Sequence, residues 1–106
     1  MKLLNERVAV ITGSTKGNGR AIANIYSEQG ANVAVTGRDQ AEAQNIANEL
    51  SKEYGTDALG LKIDVTSVAE VEEMVDKILH KYGRIDVLVN NAGYPIKDDL
   101  WDVSFD

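Results

Sequence analysis

The sequence contains no cysteine, a single histidine and no apolar run approaching the roughly 18 residues that a membrane-spanning helix needs. The lack of cysteine excludes disulfides and thiolate metal sites, and it is typical of a reducing compartment. Basic residues number only 11 against 17 acidic ones, and the net charge of −6 argues against a nucleic-acid partner. The first residues, Met1–Arg7, become charged too early for a signal peptide. We therefore expect a cytoplasmic protein without a metal site or a membrane partner.

The residues that are present are typical of a globular domain. The chain has 106 residues, of which 43% are hydrophobic and 26% are charged. Four apolar runs predict β-strands, and three stretches with helical periodicity separate them. The predicted strands are Val8–Thr12, Asn32–Thr36, Ala58–Ile63 and Val87–Asn90, and the predicted helices are Gly17–Gln29, Asp39–Tyr54 and Val68–Tyr82.

Strands that alternate with helices indicate an α/β fold, in which βαβ units build a parallel sheet. Right-handed crossovers limit the topology: the first three strands can step outward in one direction, with their helices on one face. With the fourth strand on the other side of the first, the order is 3-2-1-4. This is a partial, doubly wound sheet of the Rossmann type with three crossover helices. A ligand crevice is expected between strands one and four, at their carboxyl ends.

The face of the first helix that meets the sheet can also be predicted. Ala21, Ile22, Ile25 and Tyr26 recur with helical spacing. An amphipathic helix buries such a stripe, so we expect these four side chains to pack on the sheet.

The segment Thr12–Gly19 is the most informative part of the sequence, because it joins a buried strand to a helix through a glycine-rich turn. Gly13, Gly17 and Gly19 allow a tight turn and a close approach of backbone to ligand. The helix N-terminus adds unpaired N–H groups and a partial positive charge. Together these features predict a phosphate-binding site. A glycine-rich turn with a purely structural role is the alternative.

The polar residues of this turn have separate expected roles. We expect the hydroxyls of Ser14 and Thr15 to donate hydrogen bonds to the phosphate. Asn18 is expected to bond the local backbone and to play no part in binding.

Arg38 follows the second predicted strand, nineteen residues after Gly19. A dinucleotide-binding unit places the group that reads the adenosine ribose at about this distance. An acid there would bind a free 2′-hydroxyl, whereas Gly37 followed by Arg38 suits a 2′-phosphate. Lys16 can reach the same phosphate, so the sequence predicts NADP rather than NAD. The alternative is that both cations are simply solvated.

Polar residues also end the third and fourth strands. Asp64 can accept a hydrogen bond from the adenine amino group, and the N–H of Val65 can serve a ring nitrogen; the alternative is that Asp64 caps the third helix. Asn90 and Asn91 carry amides that can brace neighbouring loops, and Ala92-Gly93 leaves room for a ligand. A plain turn is the alternative for this last segment.

These motifs together resemble the short-chain dehydrogenase/reductase family, and especially its 3-oxoacyl carrier-protein reductases. The resemblance spans nearly the whole chain and rests on Thr12-Gly-x-x-x-Gly-x-Gly19, Asp64-Val65, Asn90-Asn91-Ala92-Gly93 and Gly83–Val89. It implies cofactor contacts of four kinds. These are Gly13, Gly17 and Gly19 on the pyrophosphate, Lys16 and Arg38 on the 2′-phosphate of NADP, Asp64 and Val65 on the adenine, and Asn90, Ala92 and Gly93 beside the adenosine ribose and the nicotinamide.

The sequence departs from the family pattern in two ways. The family usually has isoleucine at the position of Asn18. Its members are also about twice as long, and they use serine, tyrosine and lysine, the last two as Tyr-x-x-x-Lys, to reduce a carbonyl or oxidise an alcohol. None of the four tyrosines here is followed by lysine at that spacing, so no residue receives a catalytic role.

The resemblance therefore implies the N-terminal, NADP-binding domain of a reductase, residues 1–106, with the catalytic portion absent and no activity alone. The alternative is a stand-alone dinucleotide-binding or interaction module. In either case we expect a homo-oligomer, formed through the edge of strand four or an uncovered sheet face, because Trp101 and Phe105 lack a cover.

Overall fold

The computed structural model describes residues 2–91, so the predictions for Ala92, Gly93, Trp101 and Phe105 lie outside the described part. Strands and helices alternate as the sequence predicts, and each bound lies within one residue of its prediction. The elements are β1 (Val8–Ile11), α1 (Gly17–Glu28), β2 (Asn32–Gly37), α2 (Gln40–Tyr54), β3 (Leu59–Lys62), α3 (Val68–Tyr82) and β4 (Val87–Val89).

The four strands form one parallel sheet in the order β3-β2-β1-β4, which confirms the predicted order. Alternate residues of β1 point to opposite faces, as they must in a strand. Val8 and Val10 pack in the core beneath α3, whereas Ala9 and Ile11 pack in the core beneath α1 and α2. All four side chains are at most 1% exposed, so the first strand is buried on both faces.

The predicted contact face of α1 is confirmed for Ile22 and Tyr26 and wrong for the other two residues. Ala21 is exposed, Ile25 is 58% exposed, and the buried residues of this helix are Gly19, Ala23 and Ser27. Small side chains at helical spacing let the helix axis approach the sheet closely, which larger residues would prevent. Of the predicted stripe, Ile22 and Tyr26 contribute partial packing, and they do so from beside this narrow face.

The other two helices begin and end at clear capping residues. Asp39 accepts a hydrogen bond from the N–H of Glu42 at 3.1 Å, and Ser67 accepts one from Glu70 at 3.3 Å. Gly55 and Gly83 then end α2 and α3 in the left-handed conformation, with φ of 72° and 77°. Because Ser67 is the N-cap, the alternative role of Asp64 as that cap is wrong.

The outer edge of β3 is covered by α2. The side chain of Gln40 donates to Gly60 O at 2.9 Å and accepts from Lys62 N at 2.8 Å, and Gln44 accepts from Gly60 N at 3.2 Å. Gly60 permits this approach, since a Cβ there would lie 2.5 Å from the backbone carbon of Ala43. The glutamines thus satisfy the backbone groups that an edge strand leaves open.

An ion-paired carboxylate joins β4 to β1 at the opposite, amino end of the sheet. Asp86 accepts hydrogen bonds from Val8 N at 2.8 Å and from the Nη2 and Nε atoms of Arg84 at 2.7 and 2.8 Å. The Nη1 atom of Arg7 lies 3.5 Å from the same carboxylate. The side chain of Asp86 is only 18% exposed, so these contacts are partly shielded from water.

None of the three helices described between residues 2 and 91 has the length and apolarity that crossing a membrane requires.

Candidate dinucleotide-binding site

The glycine-rich turn lies at the carboxyl edge of the sheet, between β1 and α1. Gly13 and Gly17 adopt φ angles of 62° and 57°, which favour glycine because other residues are strained there. A Cβ at Gly17 would meet no atom within 4 Å, so this side of the turn is open. The chain therefore bends where the sequence predicts, and the bend faces open space.

The start of α1 presents a row of unpaired backbone donors. Lys16 is the N-cap, and its side chain makes no capping bond. The N–H groups of residues 15–19 find no acceptor among the described residues. Amides of this kind, at the positive end of a twelve-residue helix, are suited to an anion such as a diphosphate. The turn therefore fits the phosphates of a dinucleotide.

Ser14 is placed differently from its prediction. It is fully buried, its N–H donates to Thr36 O at 3.0 Å, and its Oγ accepts from Thr36 N at 2.9 Å. The residue therefore extends the β1–β2 pairing beyond the end of β1. Its hydroxyl is hydrogen-bonded to the backbone of β2, and the residue does not line the cavity beside the turn.

Gly19 and Asn91 hold the turn in place. A Cβ at Gly19 would overlap the carbonyl oxygen of Gly13 and lie 2.5 Å from Nδ2 of Asn91. The Asn91 side chain donates to Gly13 O at 3.3 Å, and its N–H donates to Thr12 Oγ1 at 2.9 Å. The predicted bracing of neighbouring loops is thus confirmed for Asn91, which acts on the turn from the end of β4.

Asn90 lies beside the same hydroxyl. Its Oδ1 is 3.2 Å from Thr12 Oγ1, which is also 3.3 Å from Val89 O. Asn90 therefore stands at the carboxyl end of β4, beside the β1–β4 crevice in which the sequence analysis predicts a ligand.

A cavity of about 390 Å³ extends from the turn across the carboxyl ends of β2 and β3. Five of its lining residues belong to the predicted site: Gly13, Thr15, Lys16, Arg38 and Val65. The others are Gly37, Ile63 and two acids from the start of α2, Asp39 and Glu42. These two acids were not predicted, although a helix that follows β2 begins at this edge and places its first turn there.

Asp64 lies in an adjoining depression of about 270 Å³ that it shares with Arg38, Lys62, Ile63 and Thr66. Its carboxylate accepts hydrogen bonds from the Thr66 hydroxyl at 2.6 Å and from Thr66 N at 2.9 Å. These bonds, helped by the charge of Arg38, hold the pKa of Asp64 below its ordinary value. The residue therefore remains an ionised hydrogen-bond acceptor at neutral pH.

The described part of the site is equipped for binding. It offers backbone hydrogen-bond donors, two cations and an ionised acceptor along one edge of the sheet. Residues 2–91 contain no cluster of three or more His, Cys, Asp or Glu residues that could bind a metal ion.

Comparison with known proteins identifies the family. The model of the short chain dehydrogenase family matches residues 7–106. The chain belongs to this family. A curated relative, the 12alpha-hydroxysteroid dehydrogenase of a Clostridium species, is 41% identical over 98 residues, which is 87% of this chain and 38% of that protein.

Two solved structures extend the comparison. The L-sorbose reductase of Gluconobacter frateurii, complexed with NADPH and L-sorbose, gives a TM-score of 0.83 at 31% identity, covering 95% of this chain and 41% of that one. The alcohol dehydrogenase of Thermococcus sibiricus, complexed with 5-hydroxy-NADP, gives a TM-score of 0.74 at 36% identity. The match covers 77% of this chain and 35% of that one. The chain spans less than half the length of the curated relatives that it matches. The narrower likeness to 3-oxoacyl carrier-protein reductases stays a prediction.

Proposed function

We propose that residues 1–106 form the NADP(H)-binding domain of a short-chain dehydrogenase, whose intact form transfers a hydride between the nicotinamide and a carbonyl or alcohol substrate. The observation that carries this proposal is the cavity at the carboxyl ends of β1, β2 and β3. Lys16 reaches it from the turn after β1 and Arg38 from the end of β2, so two cations from separate loops line one space. A 2′-phosphate is the part of NADP that such a pair would hold.

The remaining contacts follow the length of the cofactor. The free amides of residues 15–19 would bind the diphosphate. Asp64 would accept from the adenine amino group, and the N–H of Val65, which has no acceptor in the described range, would donate to a ring nitrogen. When bound, the nicotinamide supplies the hydride chemistry. The residues of this chain bind and orient it, and none is assigned a catalytic role.

Arg38→Glu tests the cofactor assignment. The parent chain is expected to bind NADPH more tightly than NADH. The substitution replaces an attraction for the 2′-phosphate with a repulsion, so NADPH affinity should fall by about thirtyfold while NADH affinity changes little. Titrations that follow nicotinamide fluorescence would measure both affinities.

The matched control is Lys52→Glu, which makes the same charge change in the last turn of α2, away from the cavity. It should leave both affinities unchanged. Equal affinity of the parent for the two cofactors would contradict the role given to Arg38.

A second candidate function is a dinucleotide-binding module that completes its sheet by oligomerising. The observation that favours it is β4, a short strand that pairs only with β1 in the described part of the chain and whose three residues are half-buried. The β3 edge, by contrast, is covered by Gln40 and Gln44. We therefore propose β4 as the edge through which two copies pair.

Light scattering at high micromolar concentration tests this pairing. The parent should have the mass of a dimer. Leu88→Lys places a charge on β4 and should shift the mass to that of a monomer, because edge charges oppose strand pairing. Leu61→Lys on β3 is the control and should leave the dimer intact. A parent that stays monomeric would refute the pairing.

We also propose that the protein is cytoplasmic. The complete lack of cysteine in a chain of this composition supports a reducing compartment.

A further inference from the structure

The cavity lined by Lys16 and Arg38 is also lined by two acidic residues, Asp39 and Glu42. A 2′-phosphate carries close to two negative charges at neutral pH, and NAD lacks it. An acid beside this phosphate position therefore weakens the binding of NADP and has little effect on NAD. The cavity thus contains groups that favour the phosphate and groups that oppose it.

The two acids are not equivalent. The Oδ1 atom of Asp39 accepts a hydrogen bond from Glu42 N at 3.1 Å, so its charge faces the positive end of α2. The carboxylate of Glu42 has no hydrogen-bond donor and no ion-pair partner within residues 2–91, and its side chain is half-buried. Glu42 is therefore the acid whose charge is less compensated at the cavity.

The start of α2 is held firmly in this position. Gln40 and Gln44, on either side of Glu42 in the sequence, bond the backbone of Gly60 and Lys62 in β3. The helix also contacts Gly60 so closely that a Cβ there would meet the backbone of Gln44. The backbone of Glu42 cannot retreat when a ligand enters, and only rotation of its side chain can move the charge away.

We propose that Glu42 is a specificity-determining residue that limits the affinity for the 2′-phosphate and so keeps the preference for NADPH over NADH modest. It repels the same group that Lys16 and Arg38 attract. This inference rests on the proposed function, because Glu42 can set cofactor specificity only if the cavity binds NADP.

Glu42→Gln tests the inference through the ratio of the two affinities. Loss of one negative charge should tighten NADPH binding by about fivefold to tenfold and change NADH binding by less than about twofold. The same contrast is expected in calorimetry with 2′,5′-ADP and 5′-ADP, which differ only in the 2′-phosphate. Because the new amide can itself donate a hydrogen bond, Glu42→Ala, which adds no donor, should produce a comparable change.

Glu72→Gln is the matched control, since it removes the same charge from an exposed position on α3, outside the cavity. It should leave every affinity unchanged. An unaltered ratio in both Glu42 variants, or equal tightening of NADPH and NADH, would overturn the role of Glu42 alone. A parent chain that binds neither cofactor would overturn the proposed function, and this inference with it.

Discussion

Replacing Gly19 by alanine should abolish NADPH binding and lower the free energy of unfolding by about 2–3 kcal/mol. The added Cβ would overlap Gly13 O and lie 2.5 Å from Asn91 Nδ2. Alanine favours a helix by about 1 kcal/mol over glycine, which is less than the cost of this overlap. The first turn of α1 must therefore move away from the loop. Its unpaired N–H groups would then no longer point toward the same phosphate.

Urea unfolding and an NADPH titration would measure the two effects. Asn18→Ala is the matched control, because Asn18 is the exposed neighbour of Gly19 and should tolerate the change within about 0.5 kcal/mol. If Gly19→Ala binds NADPH as the parent does, the tight contact between α1 and the turn is not needed for the site.

Asp86→Asn should destabilise the chain by about 2 kcal/mol at neutral pH. The substitution removes the charge that binds Arg84 and leaves only one oxygen to accept from Val8 N. Arg7 adds little, since it is 53% exposed and 3.5 Å away. Urea unfolding measures the loss, and Asp76→Asn, on the exposed face of α3, should show almost none.

The loss of stability caused by Asp86→Asn should become smaller as the pH falls. Burial alone would raise the pKa of Asp86, but hydrogen bonds from Arg84 and Val8, with the charges of Arg84 and Arg7, outweigh it and hold the pKa below its ordinary value. The unfolded chain therefore takes up the proton first as the pH falls. The stabilisation is complete above about pH 4 and is lost as the pH falls through the folded pKa. A difference between parent and variant that persists undiminished near pH 2 would contradict this account.

Much of the fold follows from local rules that act on short stretches of the sequence. Gly55 and Gly83 end helices because they adopt the left-handed conformation there, and they stand where the helical periodicity stops. Crossover handedness fixes the face on which each helix lies, and placing the fourth strand beside the first, where the two form a ligand crevice, gives the order 3-2-1-4. Since all of these strands end at one edge, Lys16, Arg38 and Val65 line one cavity despite their distance along the chain.

The features that were not predicted depend on distances between elements. Periodicity gives weight to large apolar residues, so it selected Ile25 and overlooked Ala23, whose small size lets α1 lie close to the sheet. Ser14 has the type of side chain that binds phosphate, but the end of β2 takes up its hydrogen bonds. Glu42 belongs to no motif, and its place at the cavity depends on how the first turn of α2, which begins at the carboxyl edge after β2, lies relative to Lys16 and Arg38.

The glutamine-covered edge of β3 has a consequence for how copies of this chain can assemble. A sheet with two open edges can add subunits without end, as a filament does. Here one side is blocked by Gln40 and Gln44, so an isologous pair joined through the other side uses up every edge that the described strands offer. If two copies pair as proposed, growth would stop there, and this would protect the sheet against fibrous aggregation.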